Sequence, residues 1–185
     1  MNVMPVEIYS DGSCIKNPGP GGIGYVIRYW EKVEGNELPQ AKQIEKSIGY
    51  AYTTNNRMEI LAGYYGIEDV INGVETGIFK DVQQIRILTD SKYFCDAINQ
   101  RWIDKWQGNN WMTSSETPVK NKDLWEKVIF ILNKLRQMGI NFFINHIPGH
   151  QGYEYNELAD KLATAAARGD NQITDEEYEK ITKKG

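Results

Sequence analysis

The sequence has few of the residues that build disulfide frameworks, soft-metal sites and membrane spans. It contains two cysteines, Cys14 and Cys95, and they follow no metal-ligand spacing. We therefore expect reduced thiols in a cytoplasmic protein. No apolar run approaches the ~20 residues of a membrane-spanning helix, and the first ten residues lack the charged and apolar regions of a signal peptide. No membrane association is expected.

Positive charge is also scarce. The chain has 21 lysines and arginines against 25 aspartates and glutamates, which gives a formal net charge of −4. This excludes a protein whose whole surface attracts nucleic acid, but acidic metal ligands and a local basic patch can coexist in a nucleic-acid enzyme. With 41% hydrophobic and 25% charged residues, the 185-residue chain is expected to form a globular domain.

Five segments have the alternating or β-branched composition of strands: residues 3–10, 23–30, 42–52, 84–90 and 140–147. The sequence GPGG at 19–22 predicts a turn, and residues 33–40 predict a loop. The first strand is predicted to end at Gly12, with Asp11 at its end.

Apolar residues at helical spacing predict the helices. These are expected at residues 56–72, at 92–99 after the cap Ser91, between the cap Asn121 and Gly139, at 156–168, and at the C-terminus, where Thr174 and Glu177 have capping-box spacing. The order of elements predicts an α/β fold. Its mixed five-stranded sheet would have three antiparallel strands and then two parallel ones, flanked by helices.

Four acidic residues draw attention by their positions. Asp11 and Asp90 are predicted to end two strands that can lie side by side, and ligands of open α/β sheets bind at such strand ends. Glu59 falls in the first turn of the first helix. Asp160 falls in the helix at 156–168, with Asn156 one turn earlier on the same face. Taken singly, each acid is more simply a turn residue or a solvated helix residue.

Six sequence blocks, in this order, resemble those of type 1 ribonuclease H: YSDGS, NPGPGGIGYVI, TTNNRMEI, LTDSKYF, PVKNKDLW and HIPGHQGYEYNELADKLA. The resemblance spans about residues 5 to 170. It implies a ribonuclease H-like catalytic domain over residues 1–170, followed by a short tail, 171–185, that can form a helix. It also implies an endonuclease that hydrolyses the RNA strand of RNA–DNA hybrids and leaves 5′-phosphate and 3′-hydroxyl ends.

On the residues that match, the resemblance implies a catalytic, metal-binding quartet of Asp11, Glu59, Asp90 and Asp160. The expected cofactor is a pair of Mg²⁺ ions, with Mn²⁺ as a substitute. Hard cations prefer carboxylate oxygens, and two-ion sites suit phosphodiester hydrolysis.

The two histidines receive different interpretations. His150 lies between glycines in PGHQG and matches the family's mobile histidine, which can shuttle protons or help the product leave. Without the resemblance it would be an exposed loop histidine. His146 is predicted to be structural.

The resemblance also implies residues that bind each strand of the hybrid. RNA is distinguished by its 2′-hydroxyl, and the candidates for contacting it are Cys14, Asn17, Asn55 and Asn56, together with Glu59. For the DNA strand, the candidates are a phosphate pocket of Thr54 and Asn121, a sugar channel of Tyr93, Trp102 and Ser114, and Lys92 as a cation near the cleavage site. Several of these residues can equally serve as turn or cap residues.

Residues 101–119, which we call the handle, depart from the family pattern. This protrusion is usually basic, but here it carries the neutral Gln107, Asn109 and Asn110 and the acidic Glu116. We therefore expect weaker hybrid binding with a shallower salt dependence. The handle tryptophans are expected to form a small core of their own, with Trp102 alone facing the substrate.

Two alternative functions stay open: a non-catalytic hybrid-binding module, and another metal nuclease of the same fold. The presence of all four acids speaks against the first. The NPGPGG and TTNNRME blocks, which match the family's readers of the 2′-hydroxyl, speak against the second. We expect a monomer with no obligate protein partner.

Overall fold

A six-stranded mixed sheet organises the molecule. The computed structural model describes residues 5–149 and 151–183. Along the chain, the elements are β1 (Val6–Cys14), β2 (Gly19–Glu31), β3 (Gln40–Thr53), α1 (Asn55–Glu75), β4 (Gln84–Thr89), α2 (Lys92–Asn99), α3 (Trp102–Gly108), α4 (Lys122–Gln137), β5 (Asn141–His146), α5 (Glu154–Arg168), β6 (Gln172–Ile173) and α6 (Glu176–Thr182).

The strand order in the sheet is β5-β4-β1-β2-β3-β6. β1, β2 and β3 form an antiparallel meander, while β4 pairs in parallel with both β1 and β5. The predicted mixed α/β sheet is confirmed, but the count of five strands was wrong. The sixth strand, β6, has only two residues and pairs in parallel with Gly49 and Tyr50 of β3. Two residues are too few to show the alternation of apolar and polar residues that predicts a strand.

Helices cover both faces of the sheet around β1. Successive residues of a strand point to opposite faces. Ile8 lies against Gly66 of α1, where an added Cβ would stand 2.5 Å from the Ile8 side chain. The next residue, Tyr9, packs against Tyr155 of α5 on the other face, with ring centroids 5.4 Å apart. The strand that carries Asp11 is therefore buried between two helices.

Glycines in the sheet let α5 lie almost on the strand backbones. A Cβ on Gly22 would stand 2.2 Å from the Ala163 carbonyl oxygen, and one on Gly24 would stand 2.2 Å from that of Ala159. This explains why GPGG is not the predicted turn. The four residues begin β2, and Gly21 and Gly22 pair with both β1 and β3.

Other boundaries differ from the predictions. β1 continues past Gly12 to Cys14 because that segment still pairs with β2, so Asp11 lies within the strand. α6 forms, but its cap is Asp175, whose side chain accepts from the Tyr178 N–H, rather than Thr174. Asn121 does occupy the N-cap position of α4, although its side chain makes no capping bond.

The handle contains the short helix α3, and its tryptophans do not form a separate core. Trp102, Trp106 and Trp111 are partly buried and pack against the main hydrophobic core. The link is Trp125 of α4, which is fully buried and lies 5.8 Å from Trp106, centroid to centroid. Among the described residues, no helix combines the length and the apolar character needed to cross a bilayer.

Candidate active site

Asp11 and Asp90 come together because β1 and β4 are neighbouring parallel strands. Tyr9 pairs with Leu88 in this ladder, so continuing the register by two residues sets Asp11 beside Asp90. The strand predicted to end in Asp90 ends one residue earlier, at Thr89, and Asp90 follows it directly. Asp11 is 8% exposed, and the Gly12 N–H donates to its carboxylate at 2.8 Å.

Glu59, the fifth residue of α1, reaches the same place from the start of the second turn of the helix. The helix can approach β1 because Gly12 has no side chain, and a Cβ there would stand 2.3 Å from the Glu59 nitrogen. The Glu59 carboxylate accepts a hydrogen bond from Asn55 Nδ2 at 2.7 Å and another from the hydroxyl of Ser91. Ser91 also caps α2, so one side chain fixes both the helix start and the carboxylate.

Asp160 is supplied by α5, on the face of the sheet toward which Asp11 points. The glycine contacts described above fix the height of α5 over the sheet. The Thr164 hydroxyl lies 3.4 Å from Asp160 Oδ1 and 3.5 Å from the Ser13 hydroxyl of β1. Asn156, one turn before Asp160, is buried, and its Oδ1 has no hydrogen-bond partner among the described residues.

The electrostatics of the site reflect the convergence of these acids. Burial, then the charge of Asp90, and further those of Asp160 and Glu59 raise the pKa of Asp11 to about 8, against the opposing Gly12 N–H. Burial also raises the pKa of Glu59, with Asp90 adding to the shift, while bonds from Ser91 and Asn55 oppose it. Within residues 5–149 and 151–183, none of the ion pairs involves any of the four acids.

The donor set fits a hard cation. All four side chains offer carboxylate oxygens, which Mg²⁺ prefers, and none of the ion pairs found in the described part of the chain compensates their negative charge. In the described part of the chain, no three acidic, histidine or cysteine side chains are arranged closely enough to hold an ion as they stand. Like charges repel, so an ion-free quartet is expected to be more open than a liganded one. The quartet's role as metal ligands stays a prediction.

The segment after β5 runs alongside Asp90. The Ile147 N–H donates to the Thr89 carbonyl at 3.0 Å, and Nε2 of His146 lies 3.1 Å from the Asp90 carbonyl oxygen. A Cβ on Gly149 would stand 2.5 Å from Asp90 Oδ2, so any larger residue here would require the Asp90 carboxylate to move. His150 lies outside the described residues, and its role stays a prediction.

Two of the residues predicted to bind the RNA strand are linked by hydrogen bonds to Glu59 of the acid cluster. The Asn55 N–H donates to Asn17 Oδ1 at 3.1 Å, and the Asn55 side chain donates to Glu59. Cys14 is nearby at the end of β1, with Sγ 3.5 Å from the Thr53 carbonyl oxygen. Asn56 is exposed on the first turn of α1. The structure thus connects two of the predicted residues, Asn17 and Asn55, to Glu59, while Cys14 contacts the backbone at Thr53 and Asn56 faces solvent.

The two predicted phosphate-pocket residues both contact Arg57, Thr54 at its backbone N–H and Asn121 at its guanidinium. Thr54 caps α1, and its side-chain oxygen accepts from the Arg57 N–H at 3.4 Å. Asn121 Oδ1 faces Arg57 Nη1 at 3.5 Å. Sequence reasoning missed Arg57, which is 1% exposed and binds Asp123 and Asp175. The network joins residues more than a hundred positions apart, and no local pattern indicates it.

The predicted sugar-channel residues lie in and beside the handle. Trp102 and Ser114 line one open pocket of about 420 Å³, together with Trp106 and Lys105. Tyr93 is not among the lining residues and connects to this region through Trp125, whose indole N–H donates to the Tyr93 oxygen at 3.2 Å. Lys92, the first residue of α2, is exposed two positions after Asp90.

A mixed sheet with acids converging from β1, α1, the end of β4 and α5 defines the class of protein. The sequence profile of the RNase H family matches residues 4–168, and the chain belongs to this family. It is 37% identical over 170 residues to the ribonuclease H of Desulforamulus reducens, with 92% of each chain covered. It is 40% identical over 165 residues to that of Oleidesulfovibrio alaskensis, covering 89% of this chain and 92% of the relative.

The structure is also similar to solved structures of ribonucleases H. LC9-RNase H1, described as a type 1 RNase H with the type 2 active-site motif, aligns with a TM-score of 0.70 and 26% identity. The alignment covers 98% of this chain and 82% of that one. LC11-RNase H1, solved in complex with an RNA/DNA hybrid, aligns with a TM-score of 0.56 and 26% identity over 88% of this chain and 96% of that one.

Proposed function

We propose that the protein is an endonuclease that hydrolyses the RNA strand of RNA–DNA hybrids, with Mg²⁺ as its cofactor. The observation that carries the proposal is the convergence of Glu59, Asp90 and Asp160 on the buried Asp11, without a compensating protein cation among the described residues. A buried cluster of like charges is unfavourable for folding alone and is typical of functional sites.

The four acids would hold the metal, and other side chains would set their geometry. When bound, a pair of Mg²⁺ ions supplies an activated water and stabilises the leaving 3′ oxygen. Ser91 and Asn55 orient Glu59, the Gly12 N–H fixes Asp11, and the missing side chain of Gly149 leaves room for Asp90. The products would carry 5′-phosphate and 3′-hydroxyl ends.

The substrate assignment rests on the amide side chains next to the acids. An amide can both donate to and accept from a 2′-hydroxyl, and the contact from Asn17 to Asn55 to Glu59 sets such groups at the edge of the site. The hybrid bound by LC11-RNase H1, to which this chain is similar, supports the same assignment.

The proposal has three further parts. His150 would act as a proton shuttle or assist product release, the protein would act as a monomer, and it would work in the cytoplasm. Mn²⁺ would replace Mg²⁺, because it also accepts carboxylate oxygens.

The decisive experiment compares the wild-type protein with Asp11→Asn on end-labelled hybrid, duplex RNA and duplex DNA, with and without Mg²⁺. We expect the wild-type protein to cleave only the RNA of the hybrid, and only with Mg²⁺. Asp11→Asn should lower kcat at least a thousandfold, on the order of the loss when a charge-stabilising group is removed. Hybrid binding should remain measurable.

Asp170→Asn is the matched control, because this exposed acid lies after the end of α5 and makes the same change of charge. It should cleave at the wild-type rate. Binding without cleavage by the wild-type protein would instead indicate the non-catalytic module, and cleavage of duplex DNA would indicate another metal nuclease. Full activity of Asp11→Asn would contradict the metal assignment.

A further inference from the structure

We infer that the C-terminal segment, residues 172–182, positions the pocket of Thr54 and Asn121 that binds a phosphate of the DNA strand. The segment acts on this pocket through Asp175 and Arg57. The inference rests on the proposed function, because that phosphate belongs to the hybrid substrate. It makes Asp175 a positioning residue, since its contacts lead to the pocket through other side chains.

Arg57 is the centre of the network. Its Nε and Nη2 donate to the two carboxylate oxygens of Asp175 at 2.7 and 2.9 Å, and Nη1 and Nη2 donate to Asp123 at 3.0 and 2.7 Å. Bidentate pairing of this kind fixes both the position of a guanidinium and the orientation of its plane. Arg57 is therefore held between α1, α4 and the C-terminal segment.

A fixed Arg57 determines how the Asn121 amide is oriented. A guanidinium only donates hydrogen bonds, so the amide must turn its oxygen toward Nη1, which lies 3.5 Å away. The amide nitrogen, with its two N–H donors, then points away from Arg57. These N–H donors of Asn121, which Arg57 does not engage, are suited to binding a phosphate oxygen next to the start of α4.

Asp175 also fixes the other side of the pocket. The hydroxyl of Thr53, the fully buried last residue of β3, donates to Asp175 Oδ2 at 2.7 Å. Thr54 follows directly, and because its oxygen accepts from the Arg57 N–H, its own O–H is left free to donate. One carboxylate thus fixes the backbone before Thr54 and the guanidinium that orients Asn121.

The segment is anchored well enough to carry this role. β6 pairs with β3, and Tyr178 of α6 lies under Arg57, with the guanidinium carbon 5.5 Å from its ring centroid. The same ring packs against Tyr52 of β3 at 5.6 Å. Tyr52 therefore serves the attachment of α6 beside the pocket.

The test measures kcat and KM for the wild-type protein and Asp175→Asn on hybrids that carry one neutral methylphosphonate linkage, moved stepwise along the DNA strand. For the wild-type protein, one linkage position should raise KM about tenfold, the loss of a charge-assisted hydrogen bond. Asp175→Asn should raise KM about tenfold on the unmodified hybrid, with kcat within about twofold. The neutral linkage at that one position should then have no further effect.

Glu177→Gln is the matched control. It makes the same change of charge in the same segment, but Glu177 pairs with the exposed Lys180 instead of Arg57. Its KM and its sensitivity to the neutral linkage should equal those of the wild-type protein. If Asp175→Asn does not fold at the assay temperature, Asp123→Asn replaces it, because it loosens Arg57 from the partly exposed side of the network.

The outcomes separate the two proposals. A wild-type protein that cleaves no hybrid overturns the proposed function. A wild-type protein that cleaves hybrid, alongside an Asp175→Asn variant that keeps the full sensitivity to the neutral linkage, overturns only the positioning role. A lower melting temperature with unchanged KM would likewise reduce Asp175 to a stabilising residue.

Discussion

At the scale of single residues, two buried charged side chains, Arg57 and Asp11, have opposite surroundings. Arg57 is 1% exposed and satisfied by two carboxylates, whereas Asp11 is 8% exposed and faces three other acids. Burying a charge is costly unless a partner of opposite sign compensates it. The charge of Arg57 is therefore compensated within the protein, whereas none of the ion pairs among the described residues compensates the acids around Asp11.

Asp11→Asn should stabilise the metal-free protein. Burial and the neighbouring acids raise the pKa of Asp11 to about 8, while in the unfolded chain it has its ordinary value near 4. The carboxylate therefore destabilises the fold increasingly as pH rises between these values. We expect Asp11→Asn to raise the free energy of unfolding by several kcal/mol at pH 9, up to the ~5 kcal/mol that a difference of four pKa units represents, and by little at pH 4.

Thermal denaturation in EDTA across this pH range measures the effect. Asp170→Asn, at an exposed position, should follow the wild-type curve throughout. An Asp11→Asn variant that is less stable than the wild-type protein at pH 9 would show that the acids do not repel one another in the folded state.

Gly149→Ala should impair activity without unfolding the protein. The new Cβ would stand 2.5 Å from Asp90 Oδ2, so the carboxylate has to move. We expect kcat to fall about a hundredfold, the loss that a small misplacement of a reacting group can cause. Gly108→Ala is the control, because a Cβ there meets nothing within 4 Å. Equal activity of the two variants at equal Mg²⁺ would contradict a close fit around Asp90.

At the scale of elements, the handle combines strong attachment with weak charge. Its tryptophans join the main core through Trp125. The handle has only two cationic residues, Arg101 and Lys105, and Arg101 is paired with Asp104 at 2.7 Å. Paired cations attract a phosphate backbone less than free ones. The handle is thus packed against the core but offers little positive charge to a nucleic acid.

Gln107→Lys should tighten hybrid binding, and Gln107→Glu should weaken it. Gln107 is exposed on α3, so a new charge there disturbs no packing. One added phosphate contact should steepen the plot of log affinity against log salt by roughly 0.7 to 0.9. Binding titrations at several salt concentrations measure this slope. Identical slopes for both variants would mean that the handle does not approach the duplex.

At the scale of the whole molecule, the C-terminal segment, residues 172–182, is joined to α1 through Asp175. Asp175 lies 118 positions after Arg57 in the chain, yet it makes two of the arginine's hydrogen bonds. Burial alone would raise the pKa of Asp175, but hydrogen bonds from Arg57 and Thr53 more than offset it, and the pKa lies below its ordinary value. The tail therefore contributes to the stability of the fold.

Asp175→Asn should destabilise the protein by roughly 2–4 kcal/mol at neutral pH, because it leaves a buried arginine with one carboxylate fewer. Since the pKa of Asp175 is lowered in the folded state, this contribution is fully present above pH 4 and is lost as pH falls through the folded value. The difference in melting temperature between wild type and Asp175→Asn should shrink from pH 6 to pH 3. A difference that is constant over this range would rule out an ionised Asp175 as its source.

Long periodic segments were predictable from the sequence, and short or long-range features were not. The helices around Ile60–Ile71 and Leu124–Leu135 have apolar residues at helical spacing, and both are present. GPGG was misjudged because glycine indicates a turn equally as well as close contact between a strand and a helix. β6 and the Arg57 network depend on pairing across the chain, which leaves no local trace.

The sequence alone predicted the family and the mixed sheet, which are confirmed, and it singled out Asp11, Glu59, Asp90 and Asp160 as candidate site residues. Ordered sequence blocks and hydrophobic periodicity are local properties of the chain, so they can be recognised without the structure. Only the tertiary structure decided how the other three acids converge on the buried Asp11 and which side chains orient them. It also decided that the tail is tied to α1. Burial, repulsion between carboxylates and the reach of a guanidinium are properties of spatial neighbours, and spatial neighbours here come from distant parts of the chain.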